Sequence, residues 1–220
     1  MSRIVIFGGH GRVALLLEPL LVSGGHAVTA VIRNPEHGAE VGATGATFVV
    51  ADVEESGLDR FTDLITGHDA VVWSAGAGGG DPKRTYAIDR DAAIRTMDAA
   101  AAAGVRRYVM ISWIGSVPDH GVDPESSFFP YADAKLAADE YLRAGDLDWT
   151  ILCPGMLTFD PPVGRIALDV PGRAEVSRAD VAAVIAAVLA DDSTIGRTIR
   201  FGAGDVEIAE ALSIGRRAGD

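Results

Sequence analysis

A single cysteine, Cys153, stands in the 220 residues, so neither a disulfide framework nor a thiolate metal cage is available to the fold. The five histidines, His10, His26, His37, His68 and His120, form no H-x-x-x-H or cysteine–histidine group, and no metal site is expected. No serine lies in a G-x-S-x-G elbow, which excludes the common hydrolase arrangement. Lys83 follows a run of glycines but lacks the G-K-(S/T) pattern of a P-loop. Basic residues are scarce: 19 Lys and Arg face 31 Asp and Glu, a formal charge of -12. Such a field repels phosphate backbones, and basic residues cluster in nothing larger than pairs such as Arg106–Arg107 and Arg216–Arg217, so no nucleic-acid partner is expected. No uninterrupted apolar run approaches the roughly 18 residues of a membrane span. Met1–Val5 runs straight into a strand pattern rather than a signal peptide, which points to a cytoplasmic chain without a membrane partner.

What is present is an ordinary globular balance, 48% hydrophobic and 23% charged. A chain of this length buries roughly 70% of its unfolded surface and needs no staple. Short β-rich runs alternate with longer helical ones. Strands are expected at Arg3–Phe7, Ala27–Ile32, Thr47–Val50, Ala70–Trp73, Arg107–Ser112, Trp149–Cys153 and Thr198–Phe201. Helices are expected at Val13–Val22, where Pro19 should kink the helix or delay its start, and at Leu58–Ile65, Ala87–Ala103, Tyr131–Ala144 and Val181–Leu189. Between them Gly76–Pro82 reads as a glycine-rich loop. This alternation predicts an α/β fold: one Rossmann-type doubly wound parallel sheet in a three-layer α/β/α arrangement, a single domain over residues 1–220. The irregular segments, Ile114–Pro130 and Gly155–Val176, follow the carboxyl ends of strands, where ligands bind in such sheets. Residues 155–176 and 202–220 are the expected substrate-side elements.

Phe7–Ala14 reads FGGHGRVA, between the first strand and the first helix. Two registers fit a phosphate-binding turn, Gly9–Gly11–Ala14 and Gly8–Gly11–Ala14. In either, glycine lets the main chain approach a dinucleotide pyrophosphate that rests on amides at the positive end of the helix, in the span of Gly8, Gly9, His10, Gly11, Arg12 and Val13. The second strand ends at Arg33, where NAD enzymes usually place an acid. A guanidinium there suits a 2′-phosphate, so NADP(H) is favoured, with NAD(H) the alternative. Arg12 either reaches that same phosphate or is a solvated helix-start residue. Asp52 either accepts from an adenine amino group beside the Val53 amide or caps a helix. The small residues Ser74, Ala75 and Gly76 leave room for the middle of a dinucleotide.

Tyr131 and Lys135, at i and i+4 in YADAKLAADEY, share one face of a helix. A nearby ammonium favours the phenolate, making Tyr131 a proton donor to a carbonyl that receives hydride, or a base in reverse, while Lys135 can also hold the nicotinamide ribose. In order along nearly the whole chain, FGGHGRVA, VIRNP, VVAD, SAG, AIDRDAAIRTMDAAAAAGVRRYVMIS, YADAK, DWTILCPGML and VSRADVAAVIAAVL resemble the atypical short-chain dehydrogenase/reductases, in particular their small NAD(P)H-binding, sugar-epimerase-like group. The resemblance implies a Rossmann fold, bound NADP(H), and Ser112, Tyr131 and Lys135 as polariser, acid/base and helper. It also implies that Pro154, Gly155 and Met156, at the turn after the sixth strand, approach the cofactor.

Departures from the family pattern are specific. Trp113 stands where relatives carry a second serine, with Ser116 in reserve. No asparagine lies along Ala87–Ala103, where Asp89 is the polar group to note in its place. Cys153 stands where relatives carry arginine and reads as a packed thiol. Two functions are compatible with these residues: an NADP(H)-dependent oxidoreductase or epimerase acting on a small carbonyl or hydroxyl compound, or an NADP(H)-binding redox sensor with little chemistry. A monomer or homodimer is expected.

Overall fold

The computed structural model describes residues 1–214; residues 215–220, with the Arg216–Arg217 pair and the end of the 202–220 segment, lie outside the described residues. Strand β1 (Arg3–Phe7) is buried on both faces from Ile4 onward, as the apolar run of a central strand must be, with Arg3 exposed at its start. Its side chains alternate: Ile4 and Ile6 join one hydrophobic cluster, Val5 and Phe7 the other. From there the chain runs through α1 (Ala14–Ser23), β2 (Ala27–Ile32), α2 (Gly38–Ala43), β3 (Thr47–Val50), α3 (Leu58–Ile65) and β4 (Ala70–Trp73). Then come α4 (Pro82–Thr85), a π-helical stretch Tyr86–Ala92, α5 (Ala93–Ala102), β5 (Arg107–Ile111), α6 (Phe129–Ala144) and β6 (Asp148–Pro154). The last part holds β7 (Met156–Thr158), β8 (Arg165–Leu168), β9 (Glu175–Ser177), α7 (Arg178–Leu189), β10 (Arg197–Ala203), β11 (Val206–Glu207) and α8 (Ile208–Ile214).

The main sheet has the order β11-β8-β10-β6-β5-β4-β1-β2-β3. Its run from β3 to β10 is parallel, and β8 and β11 close one edge antiparallel. Helices α1, α7 and α8 cover one face; α3, α5 and α6 cover the other, where Phe7 meets Phe61 edge-on with ring centroids 5.5 Å apart. This is the expected Rossmann-type α/β/α arrangement. The chain leaves β1 toward β2 and β3, then returns to the other side of β1 as β4, so the crevice at the carboxyl ends of β1 and β4 is the switch point.

Several elements differ from the sequence expectation. Residues 155–176, expected as irregular, hold β7, β8 and β9, strands of three or four residues whose partners are distant in sequence. So little chain carries no readable period. The helix expected to open at Ala87 begins at Pro82, because the Asp81 side chain accepts from the Lys83 N–H and Pro82 occupies the first turn. Helix α7 begins at Arg178 for a similar reason: the Ser177 hydroxyl accepts from the Asp180 N–H at 2.9 Å. Pro19 does not delay α1, which starts at Ala14 and carries the proline inside.

Candidate functional site

The turn after β1 is built by close approach. Gly8 has φ +82°, and a Cβ there would stand 2.7 Å from the Ala75 backbone; one at Gly9 would stand 2.5 Å from the Ala30 Cβ. The two glycines thus let the turn sit between the ends of β2 and β4. Gly11 donates to the Gly8 carbonyl at 2.8 Å, and no side chain caps the start of α1. An uncapped helix start behind a turn that a Cβ would obstruct fits a diphosphate, whose oxygens would accept from these amides.

A cleft of about 310 Å³ opens beside that turn, lined among others by Gly8, His10, Gly11, Arg33, Asp52, Val53, Ser74, Ala75 and Gly76. Nine residues singled out from the sequence are therefore brought together by the ends of β1, β2, β3 and β4. Arg33 is exposed at the cleft and makes no ion pair among the described residues. Asp52 accepts from the Glu54 N–H at 3.0 Å in a turn of its own, and Gly57, not Asp52, precedes α3. His10 contacts Glu40 at 2.6 Å and stacks on His37 with ring centroids 3.6 Å apart. His37 lines the cleft too, as does Arg84, which donates to Glu54 at 3.0 Å and to the Ala77 carbonyl at 2.9 Å. Sequence reading missed both: each lies on a short helical turn with no motif around it.

The remaining expected cofactor residues stand elsewhere. Arg12 lies over the Phe159 ring, 5.1 Å from its centroid, and outside the cleft lining. Val13 is buried at the start of α1. Pro154 ends β6, a Cβ at Gly155 would collide with the Ala174 carbonyl, and Met156 is exposed in β7.

A second cavity, of about 480 Å³, is lined by Gly76, the Gly78–Gly80 loop, Pro82, Thr85, Asp89, Ser127, Phe128, Pro130 and Tyr131. Gly76 belongs to both cavities. Tyr131 has Phe128 and Trp113 beside it, ring centroids 5.2 Å and 6.4 Å away. One helical turn on, the buried Lys135 ammonium donates to the Ile111 carbonyl at 2.6 Å. Burial, then the carboxylates of Asp89 and Asp139, push the Tyr131 phenol well above its ordinary value. This differs from the expectation of a phenolate favoured by Lys135: burial and acid neighbours raise the phenol, and the ammonium is directed to a main-chain carbonyl instead. Asp89 lies in the π-helical stretch and accepts from the Ala77 N–H at 3.0 Å; burial raises its carboxyl, partly offset by Lys135. A further turn along α6, Asp139 accepts from the hydroxyls of both Ser112 and Ser116. The i, i+4, i+8 spacing of Tyr131, Lys135 and Asp139 was readable in YADAKLAAD. That both serines would turn to one buried carboxylate was not. Cys153 is buried, its thiol pushed up to about 12 mainly by that burial, in keeping with a packed thiol.

Comparison with known proteins decides the family. The sequence profile described as NAD(P)H-binding matches residues 8–192. The chain belongs to the NAD(P)H-binding family. Within that family it is 33% identical over 215 residues to the "Uncharacterized sugar epimerase YhfK" of Bacillus subtilis, covering 96% of this chain and 98% of the relative. It is 31% identical over 235 residues to the "UPF0659 protein C216.03" of Schizosaccharomyces pombe, covering 97% and 94%. A solved structure from Bacillus halodurans, named for an NAD-dependent epimerase/dehydratase, is 33% identical with a TM-score of 0.90, covering 97% of this chain and all of that one. The oxidoreductase ylbE of Lactococcus lactis is 28% identical with a TM-score of 0.85, covering 96% and 95%. As an NAD(P)H-binding protein the chain thus stands in the oxidoreductase- and epimerase-like group that its motifs resemble. No three-residue group of His, Cys, Asp or Glu suited to a metal ion occurs among the described residues, and none of their helices is long and apolar enough to cross a membrane.

Proposed function

We propose that this protein is an NADP(H)-dependent oxidoreductase acting on a small carbonyl or hydroxyl compound, with Tyr131 as its acid/base. The observation that carries the reading is the sharing of Gly76 between the cleft at the glycine turn and the cavity of Tyr131. A ligand lying along the carboxyl edge of the sheet would pass from one directly into the other. NADP(H) is preferred over NAD(H) because the strand end that meets the adenosine ribose offers the unpaired Arg33 and no carboxylate.

The nicotinamide cofactor, when bound, supplies or accepts a hydride. The glycine turn and the first amides of α1 hold its diphosphate, and Arg33 takes the 2′-phosphate. Tyr131, whose phenol stays protonated, gives its proton to the substrate oxygen as that oxygen gains charge, or takes it back in reverse. Lys135, fixed on Ile111, holds positive charge one helical turn below the phenol. Phe128 lines the cavity with Trp113 packed against it and against Tyr131, and the rings limit water around the reacting oxygen. The protein works in the cytoplasm, as a monomer or homodimer, on a small molecule rather than on nucleic acid or a membrane.

The test is a screen of carbonyl compounds for NADPH consumption, repeated with Tyr131→Phe. Turnover should fall by roughly 10²-fold or more while cofactor affinity stays near its original value. Unchanged turnover would remove Tyr131 from the mechanism. A second reading, a redox sensor that binds NADP(H) with little chemistry, draws on the Ser112 and Ser116 hydroxyls: both protons point to Asp139, leaving neither for a substrate oxygen. Tight cofactor binding with no turnover across the screen would favour it.

A further inference from the structure

Arg12, Phe159 and Arg178 come from three separate stretches: the glycine turn after β1, the residue following β7 and the first residue of α7. Because β7 and β9 pair parallel, with Thr158 opposite Ser177, Phe159 and Arg178 leave the small sheet side by side. The guanidinium carbon of Arg178 lies 4.1 Å from the Phe159 ring centroid and that of Arg12 5.1 Å, so the two cations are within about 9 Å of each other. The ring itself is 75% exposed: two arginines, not the core, hold it. Arg178 also donates to the Leu157 carbonyl at 3.0 Å, which fixes its head group.

In a chain of net charge -12, two arginines sharing a ring would ordinarily find carboxylates, and among the described residues neither makes an ion pair. Asp180, on the first turn of α7, is engaged by the N–H groups of Val163 and Gly164 and by the Ser177 hydroxyl. Asp160 joins neither arginine. Partial burial, and after it the charge of Arg12, push Arg178 below its ordinary value; a bound anion would relieve the repulsion between the two arginines.

We propose that Arg12 and Arg178, spaced by Phe159, form an anion site that receives a carboxylate or phosphate group of the substrate. The assignment to substrate rests on the oxidoreductase reading above; the anion site itself does not. The same chemistry could serve the cofactor diphosphate, since Arg12 belongs to the glycine turn, and the test separates the two sources.

The full-length protein is titrated calorimetrically with inorganic phosphate, benzoate and uncharged benzamide, each with and without saturating NADPH. Phosphate or benzoate should bind both forms, with benzamide silent. Arg178→Met should weaken the anion by about tenfold or more while leaving NADPH affinity unchanged. Phe159→Ser, at an exposed position that does not threaten folding, should weaken the anion in the same way. The proposal is overturned if no anion binds, if benzamide binds equally, or if neither substitution affects the anion. Competition between anion and NADPH, or loss of NADPH affinity in Arg178→Met, would assign the pair to the cofactor and overturn the substrate site. Absence of NADPH binding sinks the oxidoreductase reading alone, because the anion titration of the free protein is read independently.

Discussion

Glu18→Gln should stabilise this protein, and the gain should depend on pH. Glu18 sits on α1 with no exposed surface; its Oε2 accepts from the Thr44 hydroxyl at 2.9 Å and its Oε1 has no partner. Burial raises its carboxyl from 4.5 to about 7, against smaller opposing effects of Thr44 and His10. In the unfolded chain the same group loses its proton near the ordinary value. Between those two values the folded state therefore binds a proton that the unfolded state does not, and stability falls as pH rises through about 7. At 1.36 kcal/mol per pH unit, the complete loss is on the order of 3 kcal/mol. For a domain of this size that corresponds to roughly 6–12 °C in Tm. Glutamine has nearly the same shape, keeps an acceptor for Thr44 and carries no charge to desolvate. Urea unfolding of both proteins at pH 5, 6, 7 and 8 gives the test. The stability difference should be about 1 kcal/mol or less at pH 5, rise steeply between pH 5 and 7, and level off at about 3 kcal/mol by pH 8. A difference that is the same at every pH would refute the reasoning.

Arg33→Ala should narrow the preference for NADPH over NADH by about tenfold or more, the scale of a charge-assisted hydrogen bond, when both affinities are measured by calorimetry. Equal affinities in the unsubstituted protein would count against Arg33. Gly8→Ala combines a left-handed backbone position with a 2.7 Å approach to Ala75; at least about 1–2 kcal/mol of stability should go, together with cofactor affinity, as read by thermal unfolding with and without NADPH. The Cys153 thiol, buried and pushed up to about 12, should resist alkylation by iodoacetamide at pH 8 until denaturant is added. Rapid labelling of the folded protein would contradict its packed role.

Much of the frame was legible without coordinates, because the relevant physics is local. Ile4–Phe7 is apolar throughout and so must be buried on both faces. FGGHGRVA supplies the glycines that the turn between β1 and α1 requires at Gly8 and Gly9. Tyr131 and Lys135 share a face through helical spacing alone. These are properties of a few neighbouring residues, and the chain's composition and charge excluded several other chemistries before any contact was known.

Tertiary structure alone decided the rest, since it depends on which distant segments meet. Arg12 lies on Phe159, 147 positions away, rather than in the adenosine cleft, because α1 and α7 pack side by side and bring Arg178 to the same ring. The Tyr131 phenol is held in its protonated form by burial and by carboxylates from the π-helical stretch and from α6 itself, whereas the isolated Tyr–Lys spacing pointed the other way. Ser112 is turned toward Asp139 by the packing of α6 on the sheet. A sequence fixes the charges and the local geometry of each group. The dielectric around a group, and the partner that takes its proton, are set by the whole folded chain.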